Sequence, residues 1–208
     1  TRGPSTTYSA GKVAPQTLDE ACWLIPVAQA YDLVADTMAA AERKHVEQDL
    51  LRAAVATIRR HDAGVSNWQS WHNAAFAAVG CALGDSQLIE LAINGPSGFQ
   101  FQMENAVTDD GFWHEGSWGY HNYALMVNLQ LTEMAARAGV DLYRNPRYKG
   151  LYQVSMQFMA PNRILPAFHD SGLIDALARP EFYEVAYRRW RDPMFAWAVN
   201  ERKRGWDS

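Results

Sequence analysis

The spacing of apolar residues constrains the fold of this chain more than any other feature of its sequence. Through most of the chain apolar side chains recur every three or four positions, as in Val46, Leu50 and Ala53. This is the period of an α-helix with one buried face. Nowhere do alternating β-branched runs line up as they would in a sheet. The sequence therefore predicts an all-α fold of antiparallel helical hairpins.

Short polar or glycine-containing breaks separate the predicted helices. Thr17 followed by Glu20 has the pattern of a capping box at the start of the first helix, which Pro26 should kink. Asp170 and Ser171 are expected to cap the helix that follows them. The further helices are predicted at 41–60, 69–83, 86–93, from Tyr120 to about Gly139, 151–159, 171–178 and 181–198.

Length and composition indicate a single domain. The chain has 208 residues, of which 48% are hydrophobic and 20% charged, so one sizeable core can form. Residues 1–16, rich in Thr, Ser, Gly and Pro, are predicted to be a linker or a cut edge, and residues 17–208 a single domain. Cys22 and Cys81 lie inside apolar helical runs, which favours buried thiols over a disulfide.

Charge and hydropathy exclude two classes of partner. A net charge of −4 argues against a nucleic-acid binder, because such proteins usually carry a basic face that neutralises phosphates. The longest apolar stretch, at 74–83, is too short to span a bilayer. We therefore expect neither nucleic acid nor membrane as a partner.

Two segments, 66–73 and 109–123, concentrate aromatic, amide and imidazole groups, including four of the eight tryptophans. Aromatic residues at a helix start usually serve packing. Two such segments at helix N-termini nevertheless favour a saccharide cleft, because a sugar offers C–H faces for stacking and hydroxyls for hydrogen bonds.

The motifs NWQSWHNAA (67–75) and DGFWHEGSWGYHNYAL (110–125) resemble the two active-site signatures of heparinase II/III-like and oligoalginate lyases. Segments 25–33 and 165–171 resemble further stretches of that family, so the likeness covers about 23–171. It implies an incomplete α/α toroid with the catalytic cleft, followed by antiparallel β-sheet domains of the same protein that this chain lacks. It also implies a periplasmic or secreted location.

The resemblance implies β-elimination at a uronic acid of an anionic polysaccharide or oligosaccharide. The proton next to a carboxylate is very weakly acidic, so such an enzyme must neutralise the carboxylate and place a base near C5. By motif, Asn67 corresponds to the neutralising residue and Tyr120 to the base, which is also a candidate to protonate the leaving O4.

Other side chains in and near these motifs are predicted to bind the substrate. His72, His114 and His121 are candidates to stabilise a Tyr120 phenolate. Glu115 resembles a residue that orients the tyrosine or a sugar hydroxyl, although His114 and Glu115 could instead pair with each other or cap the next helix. The full predicted set is Gln69, Trp71, His72, Trp113, His114, Glu115, Trp118, His121 and His169.

No cofactor or metal is expected, because the chain has no His-x3-His or Cys-x2-Cys pair. His169, Asp170 and Ser171 do not indicate a catalytic triad, whose members converge from separate places in the chain. Trp68 stands where the oligoalginate branch commonly has histidine, so that second neutralising group is absent. The basic clusters at 188–191 and 202–204 indicate a solvated face or an interdomain contact.

Two alternatives remain open from the sequence. One is an α/α-toroid glycoside hydrolase that uses Asp109, Asp110 and Glu115, although three acids in one loop do not obviously face each other across a bond. The other is a non-catalytic carbohydrate-binding helical module that keeps the aromatic cleft without the chemistry.

Overall fold

The computed structural model describes residues 9–201, so the part of the predicted linker up to residue 8 and the basic cluster at 202–204 lie outside the described residues. Helices dominate the described span and its only paired strands form one small hairpin, so the prediction of an all-α fold is confirmed. The helices are α1 (Thr17–Val34), α2 (Ala40–His45), α3 (Ala53–Ile58), α4 (Asn67–Leu83), α5 (Ser86–Asn94), α6 (Phe99–Ala106), α7 (Trp118–Arg137), α8 (Pro146–Phe158), α9 (Pro180–Trp190) and α10 (Pro193–Glu201).

Shorter elements connect these helices. Two 3₁₀ turns occupy Ala35–Thr37 and Leu142–Arg144, and a π-helical segment, Val46–Arg52, joins α2 to α3. Strands β1 (Ile164–Leu165) and β2 (Ile174–Asp175) pair antiparallel. The contacts divide the described chain into two compact units, one of 9–102 with Gln130–Asp141, the other of Met103–Leu129 with 142–201.

Helix α4 organises the first unit, where α1 and α5 pack against it. Its residues 69–80 are all buried, and many are alanine or glycine, so neighbouring helices approach closely. Ser66 caps α4 by accepting a hydrogen bond from the Gln69 backbone N–H at 3.3 Å. The helix therefore begins at Asn67, two residues before the predicted start, and ends at Leu83 as predicted, with Gly84 as its C-cap.

The capping box predicted from Thr17 and Glu20 does not form. The N-cap of α1 is Gln16, which makes no side-chain cap. The buried Glu20 carboxylate instead accepts three backbone N–H groups from Lys12, Val13 and Ala14, at 2.9, 2.8 and 3.1 Å. The Thr17 hydroxyl bonds His61 Nδ1 at 2.8 Å. Tertiary partners thus replace the local cap, and α1 continues through Pro26.

The second unit departs most from the sequence predictions. The helix predicted at 171–178 is wrong, because this stretch contains β2 and hydrogen-bonds to residue 163 through the Ala176 N–H at 2.8 Å. The helix predicted at 181–198 is interrupted at Arg191, whose φ is +52°. Helix α6 was not predicted.

The cluster at the centre of this unit contains Trp118, Val154, Leu165 and Ala176, with Phe112, Met159, Phe168 and Ile174 against it.

Two further sequence predictions concern a disulfide between the cysteines and a membrane-spanning helix, neither of which was expected. Both cysteines lie in the described span and are not joined in a disulfide, but each is half-buried rather than buried as predicted. Among the helices of residues 9–201, none combines the length and hydropathy needed to cross a bilayer.

Candidate active site

Asn67 is the first residue of α4 and is 3% exposed. The first N–H groups of a helix have no partner within it, and the helix dipole makes this end electropositive. A carboxylate near such an end gains both hydrogen bonds and favourable potential. The start of α4 therefore suits a carboxylate, whereas direct contact of the buried Asn67 side chain with substrate stays a prediction.

The Gln69 side chain makes two hydrogen bonds within the first unit. Its oxygen accepts the Ala63 N–H at 2.9 Å and its nitrogen donates to Asn73 Oδ1 at 3.0 Å. Asn73 in turn donates to the Ser97 carbonyl at 2.9 Å. These bonds support the loops around the start of α4, and substrate binding by Gln69 stays a prediction.

His72 is fully buried beside His61, with ring centroids 5.6 Å apart. Burial lowers the pKa of His72 to about 3, and the neighbouring His61 adds to the effect. Within the described span neither ring nitrogen of His72 has a hydrogen-bond partner. His72 is therefore neutral at physiological pH, so it does not supply a positive charge. Trp71 is also buried, and its contact with substrate stays a prediction.

His61 contacts Thr17, Trp68 and His72, and the sequence predicts only that a helix ends directly before it. Its ring lies 5.7 Å from that of Trp68 and shares a hydrogen bond with Thr17. Burial lowers its pKa below the usual value. No local motif marked His61, because its partners come from distant positions in the chain.

The second signature begins as a loop braced at both ends. Val107 and Trp113 form an isolated antiparallel bridge, and the His114 N–H donates to the Ala106 carbonyl at 2.8 Å. Arg147 Nη1 donates to the Val107 carbonyl at 2.6 Å. The loop between α6 and α7 is therefore held by backbone and side-chain bonds within the second unit.

His121 ties this loop to two helices. Its Nδ1 accepts the Trp113 N–H at 3.2 Å, so the proton lies on Nε2, which donates to the Leu151 carbonyl at 3.0 Å. The ring is fully buried, and burial lowers its pKa to about 4. A cationic role for His121 is thus excluded at neutral pH, and direct substrate binding stays a prediction that its burial does not favour.

Acid should destabilise the protein through His121. The unfolded histidine takes up a proton below about pH 6.5 and the folded one only near pH 4, so the free energy of unfolding falls as pH drops through this window. Between pH 7 and pH 5 the loss from this group is about 2 kcal/mol. Urea unfolding of wild type and His121→Gln at both pH values measures it. Equal pH dependence in the two proteins would contradict the assignment.

Tyr120 is the third residue of α7 and is 41% exposed. Trp118 and His121, three positions apart on the same helix face, are fully buried. The start of α7 therefore anchors itself through its inner face and presents the phenol of Tyr120 outward. A sugar contact by Trp118 stays a prediction, but in this structure the ring lies in the core.

His114 and Glu115 both contact Trp113. The Glu115 carboxylate accepts a hydrogen bond from the Trp113 indole N–H at 2.6 Å. His114 is exposed, and its ring lies 5.4 Å from that of Trp113. Trp113 itself is fully buried, so its ring presents no face to a ligand here. Substrate binding by the three residues stays a prediction.

His169 is exposed and lies against the loop that precedes Tyr120. A Cβ at Gly116 would come within 2.7 Å of the His169 ring, so the two residues are in close contact. They border a cavity of about 350 Å³ with aromatic walls. Its remaining lining residues are Asp110, Phe112, Trp118, Phe158, Ala167 and Phe168.

Gly116→Ala is expected to destabilise the second unit. Its φ of +77° disfavours a side chain, and the added methyl would overlap His169. The combined loss in free energy of unfolding should be about 1–3 kcal/mol. Gly119→Ala is the matched control, since its Cβ would meet only Ser117 Oγ at an ordinary 3.4 Å. Thermal unfolding should separate the variants; equal melting temperatures would refute this view of Gly116.

The acidic loop residues do not have the environment of a glycosidase acid. The Thr108 hydroxyl donates to Asp110 and holds the pKa of that carboxyl below its usual value. A general acid needs the opposite shift. Asp109 forms an exposed ion pair with Arg147 at 3.1 Å, and Glu115 is bonded by the Trp113 indole. Within residues 9–201 no three His, Cys, Asp or Glu side chains cluster as metal ligands would.

Comparison with known proteins agrees with the family resemblance of the two motifs. The family model described as alginate lyase matches residues 27–163. An exo-oligoalginate lyase of Saccharophagus degradans is 31% identical over 127 residues, which are 57% of this chain and 17% of that protein. An alginate lyase of Stenotrophomonas maltophilia is 30% identical over 124 residues, 55% of this chain and 16% of that protein. The matched region spans about a sixth of each relative.

Proposed function

Since the chain belongs to the alginate lyase family, we propose that it carries catalytic residues of a polysaccharide lyase that cleaves a uronate-containing chain by β-elimination. The observation that carries this proposal is the exposed phenol of Tyr120 on a helix start whose inner face is buried. The names of the two relatives make alginate, or an oligomer of it, the first substrate to test.

In the proposed reaction Tyr120 removes the proton from C5 of the uronate. The electron pair of the C–H bond forms the C4=C5 double bond, and the bond from C4 to the glycosidic oxygen breaks. Protonation of that oxygen completes the cleavage, and Tyr120 is a candidate donor because it has just received a proton. The products are a new chain end and an unsaturated uronate.

Asn67 has the complementary role in the proposal. Negative charge moves onto the uronate carboxylate as the C5 proton leaves, so a donor aimed at that group stabilises the transition state more than the ground state. The Asn67 amide can donate without bringing a competing charge. The electropositive end of α4 adds to its effect.

The buried groups of the second signature support this chemistry indirectly. His121 holds the loop before α7 to both α7 and α8, and Trp118 fills the core beneath Tyr120's helix. A base held on rigid backbone needs little reorganisation to react. The proposal also includes β-sheet domains of the same protein and a periplasmic or secreted location, both from family resemblance.

The test is turnover of a substrate panel by the complete protein. Alginate, heparin, heparan sulfate, chondroitin and hyaluronan are each incubated with the enzyme, and ultraviolet absorbance of the C4=C5 double bond is followed together with new reducing ends. We expect both signals to rise together on at least one substrate. Reducing ends without absorbance would indicate a hydrolase, and binding without either signal a carbohydrate-binding module; each outcome would overturn the proposal.

A further inference from the structure

Ser171 contacts the start of α7 from a distant turn of the second unit, and we propose that it is a positioning residue for Tyr120. Its hydroxyl caps α7 from outside the helix and so fixes the backbone that carries the phenol. This inference rests on the function proposed above, because a position for Tyr120 matters to turnover only if Tyr120 is the base.

The hydrogen bonds of Ser171 meet the residues directly before Tyr120. Ser171 Oγ accepts the Trp118 N–H at 2.7 Å and the Gly119 N–H at 3.4 Å. It also lies 3.0 Å from Ser117 Oγ. An oxygen that accepts two N–H groups keeps its own proton for a third bond, so Ser171 donates to Ser117. One hydroxyl thus joins three successive residues at the start of α7.

A strained turn presents this hydroxyl. The Ser171 N–H donates to the Phe168 carbonyl at 2.9 Å, and between them His169 has a φ of +49°. Residues other than glycine adopt this conformation rarely, and when they do it often serves a specific arrangement. The His169 ring lies against Gly116. The turn therefore holds the chain on both sides of Ser117.

Tyr120 depends on the cap that Ser171 gives to α7, because it lies in the first turn of that helix. It is the third residue of α7, inside the first turn, and its ring is substantially exposed. Core packing therefore restrains the ring less than the backbone of the first turn does. Without the Ser171 hydroxyl, the N–H groups of Trp118 and Gly119 lose this acceptor and the first turn loosens. A base displaced by about 1 Å can lose about 100-fold in rate.

The experiment measures kcat and KM of the complete protein, on the substrate that the panel identifies, for Ser171→Ala and Ser171→Thr. Ser171→Ala is expected to lower kcat by about 10- to 100-fold with KM changed less than about threefold. Ser171→Thr keeps the hydroxyl and should recover kcat to within about threefold of wild type. A purely structural role for Ser171 would not lower kcat while leaving KM nearly unchanged. It would also not make kcat recover in Ser171→Thr.

Ser155→Ala is the matched control. Its hydroxyl lies 2.9 Å from Tyr183 Oη in the interior of the same unit. This variant should lose stability as Ser171→Ala does, while its kcat stays within about twofold of wild type. If Ser171→Ala fails to fold, Ser171→Cys replaces it. Its thiol is a weak acceptor of similar size, so its kcat should fall clearly below that of Ser171→Thr.

Three results would overturn the inference: kcat of folded Ser171→Ala within twofold of wild type, an equal loss in Ser155→Ala, or no recovery in Ser171→Thr. Failure of the proposed function looks different, because Tyr120→Phe would then keep full activity. An inactive Tyr120→Phe combined with an active Ser171→Ala refutes the role of Ser171 alone.

Discussion

Tyr120→Phe is expected to lower kcat for β-elimination by about 10²- to 10⁴-fold, the usual contribution of a positioned acid–base group. The substitution removes only the hydroxyl. Because the ring is 41% exposed at the start of α7, the free energy of unfolding should change by no more than about 0.5 kcal/mol. The initial rate of absorbance increase from the unsaturated uronate, at saturating substrate, measures the loss.

Tyr187→Phe is the matched control for this experiment. Tyr187 is a half-buried tyrosine on α9, and Arg191 lies over its ring at 5.3 Å. The phenylalanine ring retains that contact, so only a hydroxyl is lost in each variant. Tyr187→Phe should keep wild-type kcat. Undiminished product from Tyr120→Phe would exclude Tyr120 as the base and end the mechanism proposed for it.

Asn67→Ala should have the second largest effect, a fall in kcat of about 10²- to 10³-fold. This is the range observed when a single donor to a developing negative charge is removed. Asn67→Asp tests the charge of the side chain at nearly constant shape. Its carboxylate would repel the uronate, so activity should fall at least as far, while the electropositive start of α4 offsets part of the cost of burying the charge.

Asn67 is buried, so lost activity must be separated from lost stability. Asn128→Ala provides the control, because Asn128 is also a buried helical asparagine but lies outside both signatures. Its amide donates to the Ala124 carbonyl at 2.9 Å. Asn128→Ala should lower the melting temperature while kcat of the folded protein stays close to wild type. Equal kcat losses in the two alanine variants, at equal folded fraction, would refute the special role of Asn67.

The two expected losses report on different requirements of the same proton-removal step. Loss of Tyr120 removes proton transfer, so added carboxylate neutralisation cannot replace it. Loss of Asn67 leaves the base intact. It raises the energy of the negative charge that develops on the uronate when the base removes the C5 proton. Kinetics of both single variants and of the double variant would show whether the roles depend on each other, since residues that act in one step are not additive.

Long helices were predictable from the sequence, whereas short connecting elements were not. Helices α4 and α7 were predicted from apolar spacing to within two residues of their observed starts and ends. The stretch 171–178 has a similar apolar content, but its backbone pairs in part with β1 and the Ser171 hydroxyl caps α7. Short segments have little helical stability of their own, so tertiary partners decide their structure.

The sequence predicts a set of candidate site residues but not their arrangement. The motif marked Tyr120 as the base and Trp118 and His121 as substrate-binding residues, whereas the fold exposes Tyr120 and buries the other two. His121 links the loop to α8 because its two nitrogens bond the Trp113 N–H and the Leu151 carbonyl. Neither partner could be identified from the pattern around His121.

The sequence by itself determined the helical class, the main helices and the two signatures that carry Asn67 and Tyr120. These depend on apolar periodicity and local motifs, because helical hydrogen bonds join residues only four positions apart. Only the tertiary structure decided that His72 and His121 are neutral, that His169 touches Gly116, and that Ser171 caps the helix of Tyr120. Each of these depends on burial or on contacts between distant residues, which local spacing does not encode.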